Sequence, residues 1–583
     1  MRRLLHYLKP YYKRMGMGFL IKLIGTIMDL LLPWILAFMI DMVIPKRNEY
    51  GIYLWGGAML LCSFLAVFCN IIANRMASKV AKDTTEVLRK DLFRKVIYLS
   101  ERKMDSYTKP SLIARLTSDS YNVHQMIGRV QRLGVRAPIL LLGGVLVTMT
   151  LNPLLSCILL VMVPFLSWIM VVISKRCIPM YQQLQKSLDQ FVRIVREDIS
   201  GIRVIKALSK EEKEELRFER INTQVVQREK KADSTMAIVD PSVKVIMNLA
   251  LVCVIVVGAI QVNQGTTEVG KILAFTTYFT IILHATMMVS RMFLIVSKGI
   301  ASANRIEEIL GADGEESITI AKGIKPKEVP EEAKGAMIAF DHVSFSYLPT
   351  KGDEKTDNTV TDLTFSVKKG QTLGILGGTG AGKSTIINLL LHFYEADTGT
   401  IWIDGEEIGR IPLPKLRQRF GVVFQNDLIF EDSILENIRF GRDLSEEEIL
   451  EALTSSCAKE FVEEREASEI LYVKGANMSG GQKQRILIAR ALAGRPQILV
   501  LDDSSSALDY RTDARLRKGL MERYPDVTKV IIAQRISSVM HADLILVLED
   551  GKIIGKGTHE ELIKSCNIYQ EISASQMGGE SIA

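Results

Sequence analysis

Residues 377–385 read Gly-Gly-Thr-Gly-Ala-Gly-Lys-Ser-Thr, which is the G-x-x-x-x-G-K-[ST] pattern of a phosphate-binding loop. Residues 372–376, just before it, form an apolar run of strand length, and residues 385–391, just after it, contain no helix breaker. Glycine lets backbone N–H groups approach phosphate oxygens, and a helix N-terminus adds partial positive charge. The stretch therefore predicts a strand, a phosphate-binding loop and a helix. The alternative is a plain glycine turn before a helix.

The loop supplies most of the predicted nucleotide contacts. Lys383 is expected to reach the β- and γ-phosphates, and Ser384 to ligate Mg²⁺. Residues 497–503 read Gln-Ile-Leu-Val-Leu-Asp-Asp, a buried parallel-type strand that ends in carboxylates and places Asp502 to hold the metal. The predicted nucleotide-binding residues of the loop are Gly377, Thr379, Gly380, Ala381, Gly382, Lys383, Ser384 and Thr385.

A third motif lies between these two. Residues 479–485 read Ser-Gly-Gly-Gln-Lys-Gln-Arg and open a predicted helix that continues to 492. Ser479 has the character of an N-cap residue, and the two glycines leave backbone N–H groups open to an anion.

Composition separates the two halves of the chain. Of the 583 residues, 48% are hydrophobic, and the long apolar runs fall almost entirely within the first 300. The net charge of +7 comes from basic residues of the first half, which favours membrane orientation over nucleic-acid binding. The 7 cysteines are scattered and contain no C-x-x-C, so they indicate buried thiols in a reducing setting.

The first half contains six apolar segments that could each cross a membrane, since a span needs about 20 apolar residues. They are 17–44, 52–74, 136–152, 153–174, 237–262 and 270–297. The long connections 75–135 and 175–236 are rich in Lys and Arg, which predicts a cytoplasmic N-terminus, cytoplasmic connections and a cytoplasmic C-terminal half. Lys46 and Arg47 oppose this orientation.

The connections are predicted to extend the membrane helices into the cytoplasm. Polar breaks at 106–111 and 198–203 suit short transverse helices that touch a cytoplasmic partner domain. Within the spans, Asp29 and Arg291 lie deepest. An intramembrane charge is costly, so each is a candidate to line a water-filled cavity, with a role in substrate contact left open.

Composition also places the domain boundaries. We expect a transmembrane domain at 1–310, a Gly-, Pro- and charge-rich linker at 311–335 and a globular domain at 336–583. Residues 337–340 and 343–347 alternate as strands do, and 350–358 are a polar surface loop.

A Ser-Gly-Gly-Gln-x-Gln-Arg motif between a phosphate loop and a Leu-Asp-Asp strand resembles the nucleotide-binding domain of ATP-binding-cassette (ABC) transporters. The resemblance covers nearly the whole chain and implies ATP and Mg²⁺ as ligands. It implies that Tyr347 stacks on adenine and that Gln425 lies at the metal and at the membrane-domain contact. Residues 506–509 are similar to the D-loop. The further nucleotide-binding residues it implies are Ser479, Gly480, Gly481, Gln482 and Asp509, and the metal ligands are Ser384, Gln425 and Asp502.

The first half is similar to a half-size exporter. The implied fold is a membrane all-α six-helix transmembrane domain of the type IV (ABC exporter type 1) class, fused to a soluble α/β P-loop nucleotide-binding domain. Asp119 and Gly201 lie in family-like strings of the two cytoplasmic connections.

Two residues depart from the family pattern. Asp503 stands where the family has Glu as the base that polarises the attacking water, and Gln534 stands where it has His. Gln carries no ionisable proton, and a base displaced by about 1 Å costs on the order of 10²-fold in rate. The expected catalytic set is Asp503, Gln534 and Gln425, with slow hydrolysis at this chain's own phosphate loop.

In this family, two cassettes sandwich two ATP molecules, and each site pairs one phosphate loop with the other chain's S-G-G-Q. The intact S-G-G-Q predicts a heterodimer in which a second ABC half-transporter carries Glu and His. The chain then resembles the degenerate-site subunit of a bacterial heterodimeric multidrug exporter. The alternative is a homodimer, as an exporter or lipid flippase, in which Asp503 works weakly.

The expected function is ATP-driven export of a drug, lipid or peptide across the cytoplasmic membrane, in contact with membrane lipid and without nucleic acid. An ATP-gated channel or regulator is the main rival. A soluble DNA-repair ATPase is disfavoured by the six fused spans, and an importer by the fusion of spans and cassette. A peptide-processing exporter is disfavoured because no protease domain precedes the first span. The substrate stays open.

Overall fold

The computed structural model describes residues 2–315, 328–347, 359–465, 469–504 and 507–577. The predicted loop 350–358, residues 316–327 of the predicted linker, Ser506 and the side chain of Arg291 lie outside the described residues. The chain divides into two compact units. The first comprises Met1–Val96 and Lys109–Gly311, and the second comprises Ile97–Thr108 and Ala312–Ala583. The boundaries expected at 310 and 335 stay a prediction.

The first unit is helical. Its helices are Arg2–Leu8, Tyr12–Phe38, Glu49–Ile97, Lys109–Ala114, Ser120–Leu151, Pro153–Ser200, Ile202–Ala207, Glu211–Met236, Val239–Asn263 and Val269–Leu310. Short π-helical turns, Met39–Val43 and Arg115–Asp119, adjoin two of them. Within the described residues, five helices are long and apolar enough to cross a membrane, and a shorter apolar stretch, Pro153–Met162, opens a sixth long helix. Helices are the expected form here because a bilayer leaves every backbone polar group to be satisfied internally.

Close packing of small residues joins the helices of this unit. A Cβ on Gly144 would lie 2.8 Å from Ile282 Cγ1, and one on Gly143 would lie 2.7 Å from Leu30 Cδ1. Small residues let membrane helices approach closely, where packing rather than the hydrophobic effect holds them together. Tyr278, fully buried among these helices, donates a hydrogen bond to the Leu30 carbonyl.

The long helices extend well past a membrane's thickness, as the sequence predicts. Helix Glu49–Ile97 has 49 residues, which is about 73 Å at 1.5 Å per residue. A short helix, Glu101–Ser106, follows it and groups with the second unit. In the other connection, helix Pro153–Ser200 ends at Gly201, and the short helix Ile202–Ala207 begins there. The predicted polar breaks are therefore confirmed.

Among its described residues, the second unit contains ten strands: β1 Ala336–Phe345, β2 Val360–Lys368, β3 Thr372–Gly377, β4 Thr398–Ile403, β5 Glu406–Glu407, β6 Phe420–Val423, β7 Ile498–Asp502, β8 Thr528–Ala533, β9 Leu544–Glu549 and β10 Lys552–Gly557. The two predicted segments at 337–340 and 343–347 form one strand, β1, with register shifts around His342, whose φ is +50°. The bulge lets the side-chain alternation restart without ending the strand.

The strands form two sheets. An antiparallel sheet has the order β2-β1-β4-β5, and a larger sheet has the order β10-β9-β3-β8-β7-β6. In the larger sheet β9, β3, β8, β7 and β6 are parallel and β10 is antiparallel. All residues of β7 are buried, as its apolar sequence predicts. The carboxyl ends of β3, β7 and β8 therefore meet at one edge of the sheet.

Helices surround these sheets: Lys383–Leu390, Leu413–Gln418, Ile434–Arg439, Glu446–Ser455, Lys459–Arg465, Gly480–Ala493, Tyr510–Arg523, His559–Ser565 and Asn567–Met577. Two large apolar cores result. One lies under the phosphate loop and includes Ile375, Ile386 and Val500. The other lies around helix Gly480–Ala493 and includes Ile488 and Leu516.

Candidate nucleotide-binding site

The phosphate loop joins β3 to helix Lys383–Leu390, so the predicted strand, loop and helix are confirmed. Gly380 and Gly382 both have φ of +89°, a backbone region that L side chains rarely adopt. A Cβ on Gly377 would lie 2.5 Å from the Leu548 carbonyl oxygen, and one on Gly382 would lie 2.7 Å from Val360 Cγ1. Glycine is therefore required at these positions, and Thr379 and Ala381 complete the loop between them.

Lys383 closes over the loop that precedes it. Its Nζ donates to the carbonyl oxygens of Gly377 at 2.9 Å and Gly378 at 2.6 Å. Burial lowers the pKa of Lys383, while the carboxylates of Asp502 and Asp503 act in the opposite direction. A bound phosphate would add to this opposing effect and keep the ammonium charged.

Ser384 and Asp502 meet at the end of the loop. Ser384 Oγ donates to Asp502 Oδ2 at 3.2 Å, although the two residues are 118 positions apart. Burial raises the pKa of Asp502, and the nearby charge of Asp503 adds to the effect. A hydroxyl and a buried carboxylate side by side are hard oxygen donors of the kind that Mg²⁺ takes, so the residues present fit that ion.

Asp503 and Gln425 lie beside this pair. Gln425 Nε2 is 3.4 Å from Asp503 Oδ2, which accepts its hydrogen bond. The backbone of Asp503 has φ of +49°, and its N–H donates to the Ile532 carbonyl at 2.9 Å. Asp502 pairs with Ile532 of β8, so Asp503 and Gln534 leave neighbouring strands at the same edge. Gln534 is exposed, and its carbonyl accepts from Gln576 Nε2 at 2.8 Å.

Tyr347 lies beside the helix that begins at the loop. Its hydroxyl donates to Thr385 Oγ1 at 3.4 Å and accepts from Asn388 Nδ2 at 2.9 Å. Its ring meets the Tyr394 ring edge-on, with centroids 5.1 Å apart. The side chain is 39% exposed, so ring surface is left for a base. Asn388 lies one helical turn after Thr385 and was not predicted from the sequence, because no spaced motif marks it.

The S-G-G-Q motif opens a helix elsewhere in the unit. Ser479 Oγ accepts from Gln482 N at 3.2 Å, and Gln482 Oε1 accepts from Ser479 N at 3.0 Å. This reciprocal capping box confirms that Ser479 is an N-cap. The Gln482 amide is therefore engaged in the cap.

The D-loop packs against this motif. A Cβ on Gly480 would lie 3.4 Å from Ala507 Cβ, and one on Gly481 would lie 3.1 Å from the Ala507 carbonyl oxygen. Asp509 caps helix Tyr510–Arg523 through Thr512, with Oδ1 accepting from the Thr512 N–H at 2.9 Å. Hydrogen bonds from Thr512 hold the pKa of Asp509 below its ordinary value.

The predicted residues thus fall into two groups. The phosphate loop, Tyr347, Gln425, the two strand-end aspartates and Gln534 form the first. Residues 479–482 with Asp509 form the second, at the starts of helices Gly480–Ala493 and Tyr510–Arg523.

Two family models match this chain, one in each half. The family model described as ABC transporter transmembrane region matches residues 15–286, and the model described as ABC transporter matches residues 360–506. An uncharacterized ABC transporter ATP-binding protein, YfiB of Bacillus subtilis, is 33% identical over 100% of this chain and 99% of its own length. A fatty acid ABC transporter ATP-binding/permease protein of Mycobacterium bovis is 31% identical over 88% of this chain and 80% of its own.

A solved structure of a bacterial Atm1-family ABC exporter with ATP bound superposes with a TM-score of 0.80. It is 23% identical and covers 97% of this chain and 99% of that one, so it shows the fold of the whole chain. Together with the apolar helices and the phosphate-loop domain, these matches establish that the chain belongs to the ABC transporter family, as a multi-pass membrane protein that binds ATP and couples its hydrolysis to transport.

Proposed function

We propose that this chain is one half of an ABC exporter that moves a hydrophobic or amphipathic compound out across the cytoplasmic membrane. Its spans and its cassette share one chain, and its fold is that of an exporter, which supports this direction. The Lys- and Arg-rich connections 75–135 and 175–236 support cytoplasmic N- and C-termini, since basic loops of membrane proteins tend to lie on the cytoplasmic side. One relative is named for fatty acids, which supports a lipid-like substrate within the broader class of drugs, lipids and peptides.

In this proposal the site at this chain's own phosphate loop binds ATP and hydrolyses it slowly. Lys383 and the loop N–H groups bind the phosphates, and Tyr347 stacks on adenine. Ser384, Asp502 and Gln425 hold Mg²⁺, which supplies charge neutralisation between the phosphates. Asp503 orients the attacking water poorly because its carboxylate is one methylene shorter than Glu. The observation that carries the proposal is the pairing of this Asp with Gln425 at 3.4 Å, beside a Gln at position 534.

Transporters of this family work as dimers, and we propose a heterodimer. Residues 479–482 and Asp509 complete the nucleotide site of a second half-transporter that carries Glu and His. ATP binding closes the pair of cassettes, and hydrolysis at the partner's site resets them. A homodimer with a weak Asp503 is the alternative.

Turnover by the isolated chain tests the degenerate site. The full chain, purified alone in lipid nanodiscs, should hydrolyse ATP far below the roughly 10 s⁻¹ typical of enzymes. Asp503→Ala should change this rate little, and so should the matched surface variant Asp443→Ala. A rate near 10 s⁻¹ that Asp503→Ala abolishes contradicts the degenerate site and favours the homodimer. Co-purification with a second half-transporter that raises turnover supports the heterodimer.

A further inference from the structure

Five polar side chains from three predicted membrane spans meet within the first unit. They are Lys22, Asp29, Asn70, Asn74 and Arg136, named here the Lys22–Arg136 cluster. Arg136 pairs with Asp29 at 3.0 Å, Asn70 Nδ2 approaches Asp29 Oδ2 at 3.5 Å, and Lys22 Nζ donates to Asn74 Oδ1 at 3.0 Å.

The cluster lies toward one side of the membrane. Asp29 precedes the end of its predicted span at 44 by 15 residues, and Arg136 precedes Leu151 by 15 residues. At 1.5 Å per residue each lies about 22 Å from the outer end of a hydrocarbon core about 30 Å thick. Lys22 is one to two turns nearer the N-terminus. The cluster therefore extends from the inner half of the bilayer to its cytoplasmic interface, where lipid headgroups meet acyl chains.

Its charges do not balance. Asp29 is the one carboxylate at this depth in the three spans, because 52–74 and 136–152 contain no Asp or Glu and Asp41 lies at the outer end. Asp29 lies near two cations, Lys22 and Arg136. Arg132, one helical turn before Arg136, adds a third positive charge near Lys22. An uncompensated cation within a bilayer is costly, so a purely structural pair has no reason to keep the second charge.

Open hydrogen-bonding capacity accompanies the excess charge. Among the described residues, the buried Arg136 Nε and Asn70 Oδ1 have no hydrogen-bond partner. The side chains of Arg136 and Asp29 keep 34% and 24% of their surface exposed, so the pair is reachable. The Arg136 guanidinium therefore keeps an unpaired Nε–H, and guanidinium N–H groups match the oxygens of a carboxylate or phosphate.

We propose that the Lys22–Arg136 cluster binds the anionic headgroup, carboxylate or phosphate, of an amphiphile that enters from the cytoplasmic leaflet. Arg136 and Lys22 bind the headgroup, and Asp29 holds the guanidinium in position. The apolar surfaces of the three spans accept the acyl chain. The inference rests on the proposed exporter function and assigns it a substrate class.

Equilibrium binding tests the inference without requiring activity. The full chain is placed in nanodiscs of zwitterionic phosphatidylcholine, and binding of tritiated palmitate is measured by scintillation proximity. Competition by lysophosphatidate, hexadecanol and hexadecyltrimethylammonium is measured alongside. We expect saturable palmitate binding that lysophosphatidate displaces and that hexadecanol and the cation displace at least tenfold less well. The ranking of palmitate against lysophosphatidate distinguishes a carboxylate from a phosphate headgroup.

Variants assign the site. Arg136→Gln should weaken palmitate binding at least tenfold and Lys22→Gln several-fold. Asp29→Asn should preserve or strengthen binding, because the Asn oxygen can still accept from Arg136 and hold it in position while the competing negative charge is removed. Arg14→Gln is the matched control, because Arg14 pairs with Asp83 at 3.0 Å with similar exposure but outside the predicted spans. It should bind palmitate as the unmodified chain does. Arg136→Lys replaces Arg136→Gln if the Gln variant fails to fold. It keeps the positive charge but loses the paired N–H groups of the guanidinium, so its affinity for palmitate should be intermediate.

Three results would overturn the inference. They are equal displacement by hexadecanol, unchanged binding in both Arg136 variants, and a loss of binding and of thermal stability in Asp29→Asn as large as in Arg136→Gln. The last result marks a structural ion pair. If one of these three results is found and the chain still carries out ATP-driven transport, the headgroup site is wrong and the exporter function stands. If the chain carries out no ATP-driven transport, the proposed exporter function is itself contradicted.

Discussion

Asp503 and Gln534 are the two residues at which we expect the chemistry of this cassette to differ, because they stand where the family resemblance implies Glu and His. The left-handed backbone at Asp503 aims its short carboxylate toward Gln425. Gln534 leaves the adjacent strand with an exposed side chain that has no ionisable proton. Both side chains are therefore polar. The carboxylate of Asp503 reaches less far than that of Glu would, and Gln534 cannot take up a proton as His could.

Restoring the two residues should restore hydrolysis. We expect Asp503→Glu with Gln534→His to raise ATP turnover of the isolated chain on the order of 10–10²-fold, since a misplacement of about 1 Å costs up to about 10²-fold. Steady-state phosphate release checks this, with Asp443→Glu as a carboxylate-lengthening control on the surface. Unchanged turnover in the double variant would show that the slow step lies elsewhere.

His392 should make stability depend on pH. Burial, with the charge of Arg417 adding to it, lowers the pKa of His392 from 6.5 to about 4. The unfolded chain therefore gains this proton below about pH 6.5, whereas the folded chain gains it only below about pH 4. The free energy of unfolding should fall as pH drops through this window, by at most about 3 kcal/mol.

Thermal unfolding of the second unit, followed in the full chain between pH 7.5 and pH 4, measures this fall. The variant His392→Asn should flatten the curve, because Asn tolerates the φ of +51° at this position and does not titrate. Identical pH profiles for the two proteins would disprove the assignment to His392.

Capping decides how the S-G-G-Q helix presents its N-terminus. The reciprocal hydrogen bonds of Ser479 and Gln482 satisfy the backbone N–H groups of these two residues. The N–H groups of the two glycines between them take no part in this cap. Contact with Ala507 ties this start to the D-loop.

Two substitutions at this serine should separate stability from nucleotide binding. Ser479→Ala should cost about 1 kcal/mol through the lost cap. Ser479→Asp should keep the cap but place a negative charge where a partner's phosphates would bind. We expect near-normal thermal stability for the Asp variant, and loss of ATP hydrolysis when either variant is paired with the other half-transporter. Full activity of the Asp variant would remove residues 479–482 from the nucleotide site.

A phenol contacts the short helix Glu101–Ser106. Tyr394 donates to Asp105 Oδ2 at 2.5 Å, and burial together with that carboxylate raises the pKa of Tyr394, so the hydroxyl stays a donor. Tyr394→Phe should remove about 1 kcal/mol from this partly exposed contact, which is about fivefold in local opening. Hydrogen exchange of residues 101–106 measures it, with Tyr472→Phe as an exposed control. Unaltered exchange would show that other contacts hold the helix.

Orientation is a property of the whole molecule and follows from charge rather than packing. In a cysteine-free background, Lys46→Cys should react with a membrane-impermeant maleimide in intact cells. Lys213→Cys should react only after permeabilisation, because it lies in the basic connection 175–236. The opposite pattern would invert the proposed topology and exclude export.

Local patterns made much of this protein predictable. The phosphate loop, the apolar strand β7 and the apolar helices are each encoded by consecutive residues. The loop and the strand were therefore found at nearly their observed positions, and the six predicted spans fall almost entirely within helices. The division between the two motif groups was also predictable, because S-G-G-Q opens its own helix. The Tyr347 hydrogen bond from Asn388 was not, since neither residue belongs to a spaced motif.

Contacts between distant residues depended on the tertiary structure alone. Ser384 and Asp502 are 118 positions apart, and Asp29 and Arg136 are 107 apart. Periodicity shows which face of a helix or strand is apolar, but strand order and helix packing decide which faces meet. The residue types at the nucleotide site could therefore be predicted from the sequence. The pairing of an intramembrane aspartate with Arg136 could not, because it depends on how three spans pack together.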